Sequence, residues 1–143
     1  MLSTIIEASQ NFCTHQVREE CTIKNGILQM RTLIAYIDIN TQDTKEYRVY
    51  IASDKGFMQK VSHIFLEEDE SDEETLIDMT LETANLIIGS AKVIAESSNN
   101  PYLIKTPHFE KFDSFDFDYD QAKIVQLKDS AIMIAIKELN VQK

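Results

Sequence analysis

Apolar positions recur at intervals of three and four over residues 2 to about 19. Leu2, Ile5, Ile6, Ser9, Phe12, Cys13 and Val17 fall on one helical face. This spacing predicts an amphipathic helix, ended by Glu19–Glu20 and a turn at Asn25–Gly26. From Ile27 to Asn40 the pattern changes to one rich in β-formers: Ile27, Met30, Leu33, Ile34, Tyr36, Ile37 and Ile39. Thr41–Lys45 reads as a short polar loop and Tyr47–Ala52 as the returning strand, so the pair is antiparallel. Ser53–Asp54 can cap a second helix whose inner face is Phe57, Met58, Val61, Ile64 and Phe65. An acidic run, Glu67 to Glu74, follows as a solvated linker. Within it Ser71 and Glu74 have the spacing of a capping box.

The longest helix is predicted from about Asp72 to Ser97, stopping before Asn99–Asn100–Pro101. Leu76, Ile77, Thr80, Leu81, Ala84, Ile87, Ile88, Ala91, Ile94 and Ala95 form its core face. Tyr102–Thr106 is a short strand ending at Pro107, and Phe109–Phe115 reads as irregular. Asp116–Asp120 alternates acid and aromatic, which suggests a loop–strand edge with its aromatics inward. It is not a calcium loop of EF type, because Gln121 and Leu127 stand where that loop needs Gly and Glu. Ala122–Leu127 and Ser130–Lys137 are the last strands, joined by a turn at Lys128–Asp129. The order predicts an α+β fold, three helices packed on an antiparallel β-sheet, in a single domain over residues 1–143.

Composition narrows what such a domain does. A 43% hydrophobic and 27% charged chain of 143 residues can bury a substantial core. Its net charge of −10 argues against nucleic acid and against anionic membrane. No apolar run approaches membrane-spanning length, and Met1–Glu7 lacks the basic and apolar regions of a secretory leader. Cys13 and Cys21 lack metal or redox spacing and suit packing in a reducing cytoplasm, the expected location. His15, His63 and His108 are scattered, so no metal site is expected. Three glycines leave no phosphate loop, and no G-x-S-x-G elbow is present. Any chemistry here must be completed by a partner.

One stripe of the long helix carries candidate chemistry. At 100° per residue, Asp78, Glu82, Asn85 and Gly89 lie within an arc of roughly 60°, opposite the core face. A carboxylate on that stripe can grip a cation, an amide can aim a water, and a glycine leaves room for close approach. Glu96–Asn99 repeats the Glu-x-x-Asn spacing but sits at the helix end, where it reads as a termination signal.

The run Glu82–Thr83–Ala84–Asn85, followed by Gly89, Ala91, Lys92 and later Pro107, resembles the signature of the CheC/CheX/FliY phosphatases. Asp78, Glu82, Asn85 and Pro107 match its acid, Glu, Asn and Pro positions, the last gap being about one residue short. The single motif makes the chain similar to CheX within that family. The resemblance implies a phosphatase that removes the aspartyl phosphate of a chemotaxis response regulator of CheY type. It gives Asn85 the role of orienting the attacking water and Glu82 that of pairing with the regulator's active-site lysine. Asp78, Gly89 and Lys92 become docking residues, and Pro107 a shape residue. The protein then needs no cofactor of its own, since Mg²⁺ comes with the regulator. The resemblance also implies a homodimer formed through the sheets, with the stretch 116–138 as the expected exposed edge. A non-catalytic adaptor or flagellar-switch domain of the same fold is the alternative, but it has no use for the amide of Asn85.

Overall fold

Alternate residues of a strand send their side chains to opposite faces of a sheet. In the computed structural model, which describes residues 1–139, one seven-stranded antiparallel sheet uses both faces. Its strands are β1 (Thr22–Asn25), β2 (Arg31–Thr41), β3 (Glu46–Ser53), β4 (Tyr102–Ile104), β5 (His108–Ser114), β6 (Gln121–Gln126) and β7 (Ala131–Leu139). They run in the order β1-β6-β7-β3-β2, with β4 and β5 placed one after the other along the outer edge of β2. Three helices cover one face: α1 (Leu2–Phe12), α2 (Lys55–Leu66) and α3 (Glu73–Ser97). Leu33, Ala35, Ile37 and Ile39 of β2 meet them, as do Val49 and Ile51 of β3 and Ile132 and Ile134 of β7. The intervening residues, Ile34, Tyr50, Ala52, Met133 and Ala135, pack on the other face beneath Leu28 and Phe115. This is the expected α+β fold.

Several boundaries differ from the sequence expectation. The first helix is α only to Phe12; Cys13–Val17 continue as a π-turn. The turn closes with Arg18 in the left-handed region, and the N–H groups of Arg18 and Glu19 both donate to the Cys13 carbonyl. Thr22–Asn25 is a strand on β6, whereas Ile27 and Leu28, expected in β2, lie over the second face of the sheet. Gly26, at φ 122°, makes that change of direction, which a side chain would strain. Phe109–Phe115, expected irregular, is mostly strand β5, with a bulge opposite Ile34 and Ala35. Its half-exposed, mixed-polarity sequence is that of an edge strand, which gives little alternation to read.

Ile64 points to solvent rather than inward. Asp72, not Ser71, caps α3 by accepting from the Thr75 N–H at 2.8 Å. Ser71 is buried instead, against Ser62, Glu68 and Gln59. Of the alternating aromatics, Phe117 is half-buried over Tyr50 but Tyr119 is exposed. Stretch 116–138 is not a sheet edge: β7 is interior, and β6 is covered by β1. A second copy pairing strand to strand would have to meet β1 or the β4–β5 edge.

The N-terminal unit seals its thiol. Cys13 is buried, and desolvation, with Cys21 close by, pushes its pKa from 9.0 up to about 12. Cys13 is therefore expected to resist iodoacetamide at pH 8 in the native protein and to react fully in denaturant, as counted by mass spectrometry. Between pH 9.0 and about 12 only the unfolded chain ionises at this thiol, so its contribution to stability falls as pH rises through that window.

Candidate functional site

The stripe on α3 stands on a firmly held helix. Asp72 caps its start, and Glu73 and Glu74 in the first turn suit the positive helix end. Leu76, Thr80, Ala84, Ile87, Ile88 and Ala91 are buried against the sheet and the other helices. Thr80 donates its hydroxyl to the Leu76 carbonyl, and Tyr102 of β4 donates to that of Ile88 at 3.4 Å. The Thr83 hydroxyl lies 3.8 Å from the Met58 sulfur on α2. At the far end Asn99 takes a left-handed conformation, and Asn100 donates its N–H to Ala95. The second Glu-x-x-Asn is thus a helix stop, as its position suggested.

Asp78, Glu82 and Asn85 all face outward and are exposed. None forms a side-chain hydrogen bond or ion pair among the described residues. Their functional groups are therefore free for a visitor. Gly89 and Lys92 continue the line, both half-buried. A cleft of about 980 Å³ beside Cys21, Lys60 and Asp129 touches none of these residues. A small-molecule site is concave and mostly apolar. A ridge of unpartnered polar groups instead suits a site that is completed by another macromolecule.

Gly89 has no internal reason to be glycine. A Cβ there would meet nothing within 4 Å. Gly89→Ala is expected to stabilise the fold by about 0.5–1 kcal/mol, through lower backbone entropy and better helix propensity. A rise in melting temperature checks this. What the glycine provides is a gap on the outer surface of α3.

Pro107 lies between β4 and β5, where the edge of the sheet is interrupted opposite β2. The last bond before the break runs from the Lys105 N–H to the Asp38 carbonyl at 2.9 Å. A proline, lacking an N–H, belongs at such a gap. Among the described residues no three His, Cys, Asp or Glu side chains gather as a metal site. No helix there is long and apolar enough to cross a membrane.

Two apolar residues on this side of α3 escaped the sequence reading. Leu86 is 40% exposed and Val93 61% exposed. A helical wheel signals both, since Leu86 lies one turn beyond Glu82 and Val93 one turn beyond Gly89.

No protein-family model matches the chain, and no curated protein matches it. Solved structures do. The chemotaxis protein CheX from Vibrio vulnificus superposes with a TM-score of 0.79 at 17% identity, over 96% of this chain and 98% of that one. A chemotactic CheC-like protein from Shewanella oneidensis MR-1 gives 0.81 at 13% identity, over 96% and 97%. A CheX–CheY–BeF3–Mg²⁺ complex from Borrelia burgdorferi gives 0.70 at 17% identity, over 96% and 97% of the matched chains. The α3 run and the whole-chain superpositions thus meet in one conclusion: this chain has the fold of the CheC/CheX/FliY proteins, in the form that CheX takes.

Proposed function

We propose that this protein is an aspartyl-phosphate phosphatase acting on a phosphorylated response regulator of CheY type. The observation that carries the reading is the pair Glu82 and Asn85, exposed, unpartnered and one helical turn apart on a firmly packed helix. The i, i+3 spacing separates their Cβ atoms by about 5–6 Å, the width of one active-site mouth. That a structure of the same fold was determined with CheY, BeF3 and Mg²⁺ supports the choice of partner.

An aspartyl phosphate in a receiver domain already sits beside its own Mg²⁺ and a lysine, which neutralise the phosphoryl oxygens. What that site lacks is a held water in line with the leaving carboxylate. The Asn85 carboxamide supplies it: its oxygen accepts from the water and its NH₂ donates to the water oxygen. Water then attacks phosphorus, the P–O bond to the aspartate breaks, and the aspartate leaves as carboxylate with inorganic phosphate. Glu82 pairs with the regulator's lysine and sets the register of the approach. Asp78, Gly89 and Lys92 belong to the docking ridge. The protein brings no metal, works in the cytoplasm, and pairs with a second copy of itself.

The test is direct. CheY-type regulators of the source organism are loaded with acetyl phosphate and Mg²⁺, and phosphate release is followed with and without this protein. Catalytic amounts are expected to shorten the lifetime of at least one phosphorylated regulator. A domain that binds a regulator and leaves its lifetime unchanged is an adaptor, and the phosphatase reading is then wrong.

A further inference from the structure

The docking ridge has a second wall. A cleft of about 390 Å³ lies between α3 and the end of α1 with its π-turn. Leu86 and Ser90 line it from α3, and Asn11, His15 and Gln16 from the other side. Leu86 lies one turn beyond Glu82, so the cleft flanks the ridge on its Glu82 side.

Its charge sets it apart. The chain has 24 acidic residues among 143. None lies between Ala8 and Arg18, and none between Thr83 and Ala95. These two acid-free stretches pack against each other at this cleft. The π-turn adds to it, leaving Thr14, His15 and Gln16 exposed between buried Cys13 and Val17. Mg²⁺ is held in a phosphoryl-transfer site by carboxylates and phosphoryl oxygens. The surface around such a site therefore carries acids that a protein of net charge −10 repels unless it lands on neutral ground. Glu82 is the exception, because its counterpart is a lysine. Beyond Glu82 the ridge carries no acid until Glu96 and presents the exposed apolar surface of Leu86 and Val93.

We infer that this cleft is the second half of the docking surface and seats a loop of the phosphorylated regulator that borders its aspartyl phosphate. The inference rests on the phosphatase reading and adds to it a surface on α1 and the π-turn. The loop's apolar side chains cover Leu86 and Val93, while Asn11, Gln16 and Ser90 offer hydrogen bonds to its backbone. The surface supplies affinity and partner choice, not chemistry.

The test places acids in the cleft. His15→Glu/Gln16→Glu changes two exposed positions, and Gln121→Glu on β6 adds an acid far from the ridge as a control. Steady-state phosphate release and binding to the regulator loaded with BeF3 and Mg²⁺ are measured for each. The double variant is expected to raise KM and the Kd for the loaded regulator at least tenfold, with kcat within twofold and melting temperature unchanged. The control is expected to match wild type. Leu86→Ser, which adds no charge, should also raise KM. If wild type turns over but both cleft variants keep its KM and Kd, the cleft is not a docking surface, while the phosphatase reading stands. If wild type neither binds nor dephosphorylates any regulator of the organism, both readings fall together.

Discussion

Asn85→Ala is expected to lower the maximal rate of dephosphorylation by about 100-fold or more, the scale on which a misplaced reacting group is felt. KM should stay within about threefold of wild type, since in the proposed mechanism the amide acts on the water more than on the bound regulator. The fold has little reason to object. Asn85 is exposed and makes no hydrogen bond among the described residues, so its truncation strands no partner. Alanine is also the better helix former at this position. The variant should therefore melt at or slightly above the wild-type temperature. Single-turnover phosphate release at saturating protein separates the chemical step from binding. Asn85→Asp sharpens the reading: its carboxylate accepts but does not donate, and it brings negative charge towards phosphoryl oxygens, so it should be as slow. Wild-type kcat in the alanine variant would mean that something else holds the water.

How much of this was legible in the chain depends on what each signal required. The stripe was, because a helix converts residue number into direction with one constant, and Asp78, Glu82 and Asn85 all came out on the exposed side. The hairpin of β2 and β3 was also readable, since both strands bury alternate residues on two covered faces. Edge strands were not. β1 is short, polar and largely exposed, and β5 mixes Phe109 and Phe112 with Glu110 and Lys111, so neither shows a period. Their pairing with β6 and β2 comes from sheet registry, which no local window contains. The cap of α3 illustrates a finer limit. Ser71 and Asp72 are adjacent and both are good N-caps; tertiary contacts of Ser71 with Ser62 and Gln59 decide between them. The cleft between α1 and α3 was invisible for the same reason, since it needs the two helices side by side.

Glu82→Lys separates recognition from stability most cleanly. Losing one member of a desolvated charge pair costs about 2–5 kcal/mol of binding, which is about 30-fold or more in affinity. In the proposed pairing the new ammonium would also face a lysine, so KM for the phosphorylated regulator is expected to rise by at least that factor, with a smaller loss in kcat. Stability should move the other way. Asp78 and Glu82 are like charges at i, i+4 on an exposed face, an arrangement that costs a helix a few tenths of a kcal/mol. Lysine at 82 turns that repulsion into an attraction, so the variant should melt no lower than wild type. A cation arriving from outside would relieve the same repulsion. Salt dependence checks the cause: KM of the wild type should climb with ionic strength, and Glu82→Gln should flatten that slope. A Glu82→Lys variant with unchanged KM and a collapsed kcat would instead assign the carboxylate to the water, beside Asn85, and leave the regulator's lysine to another partner.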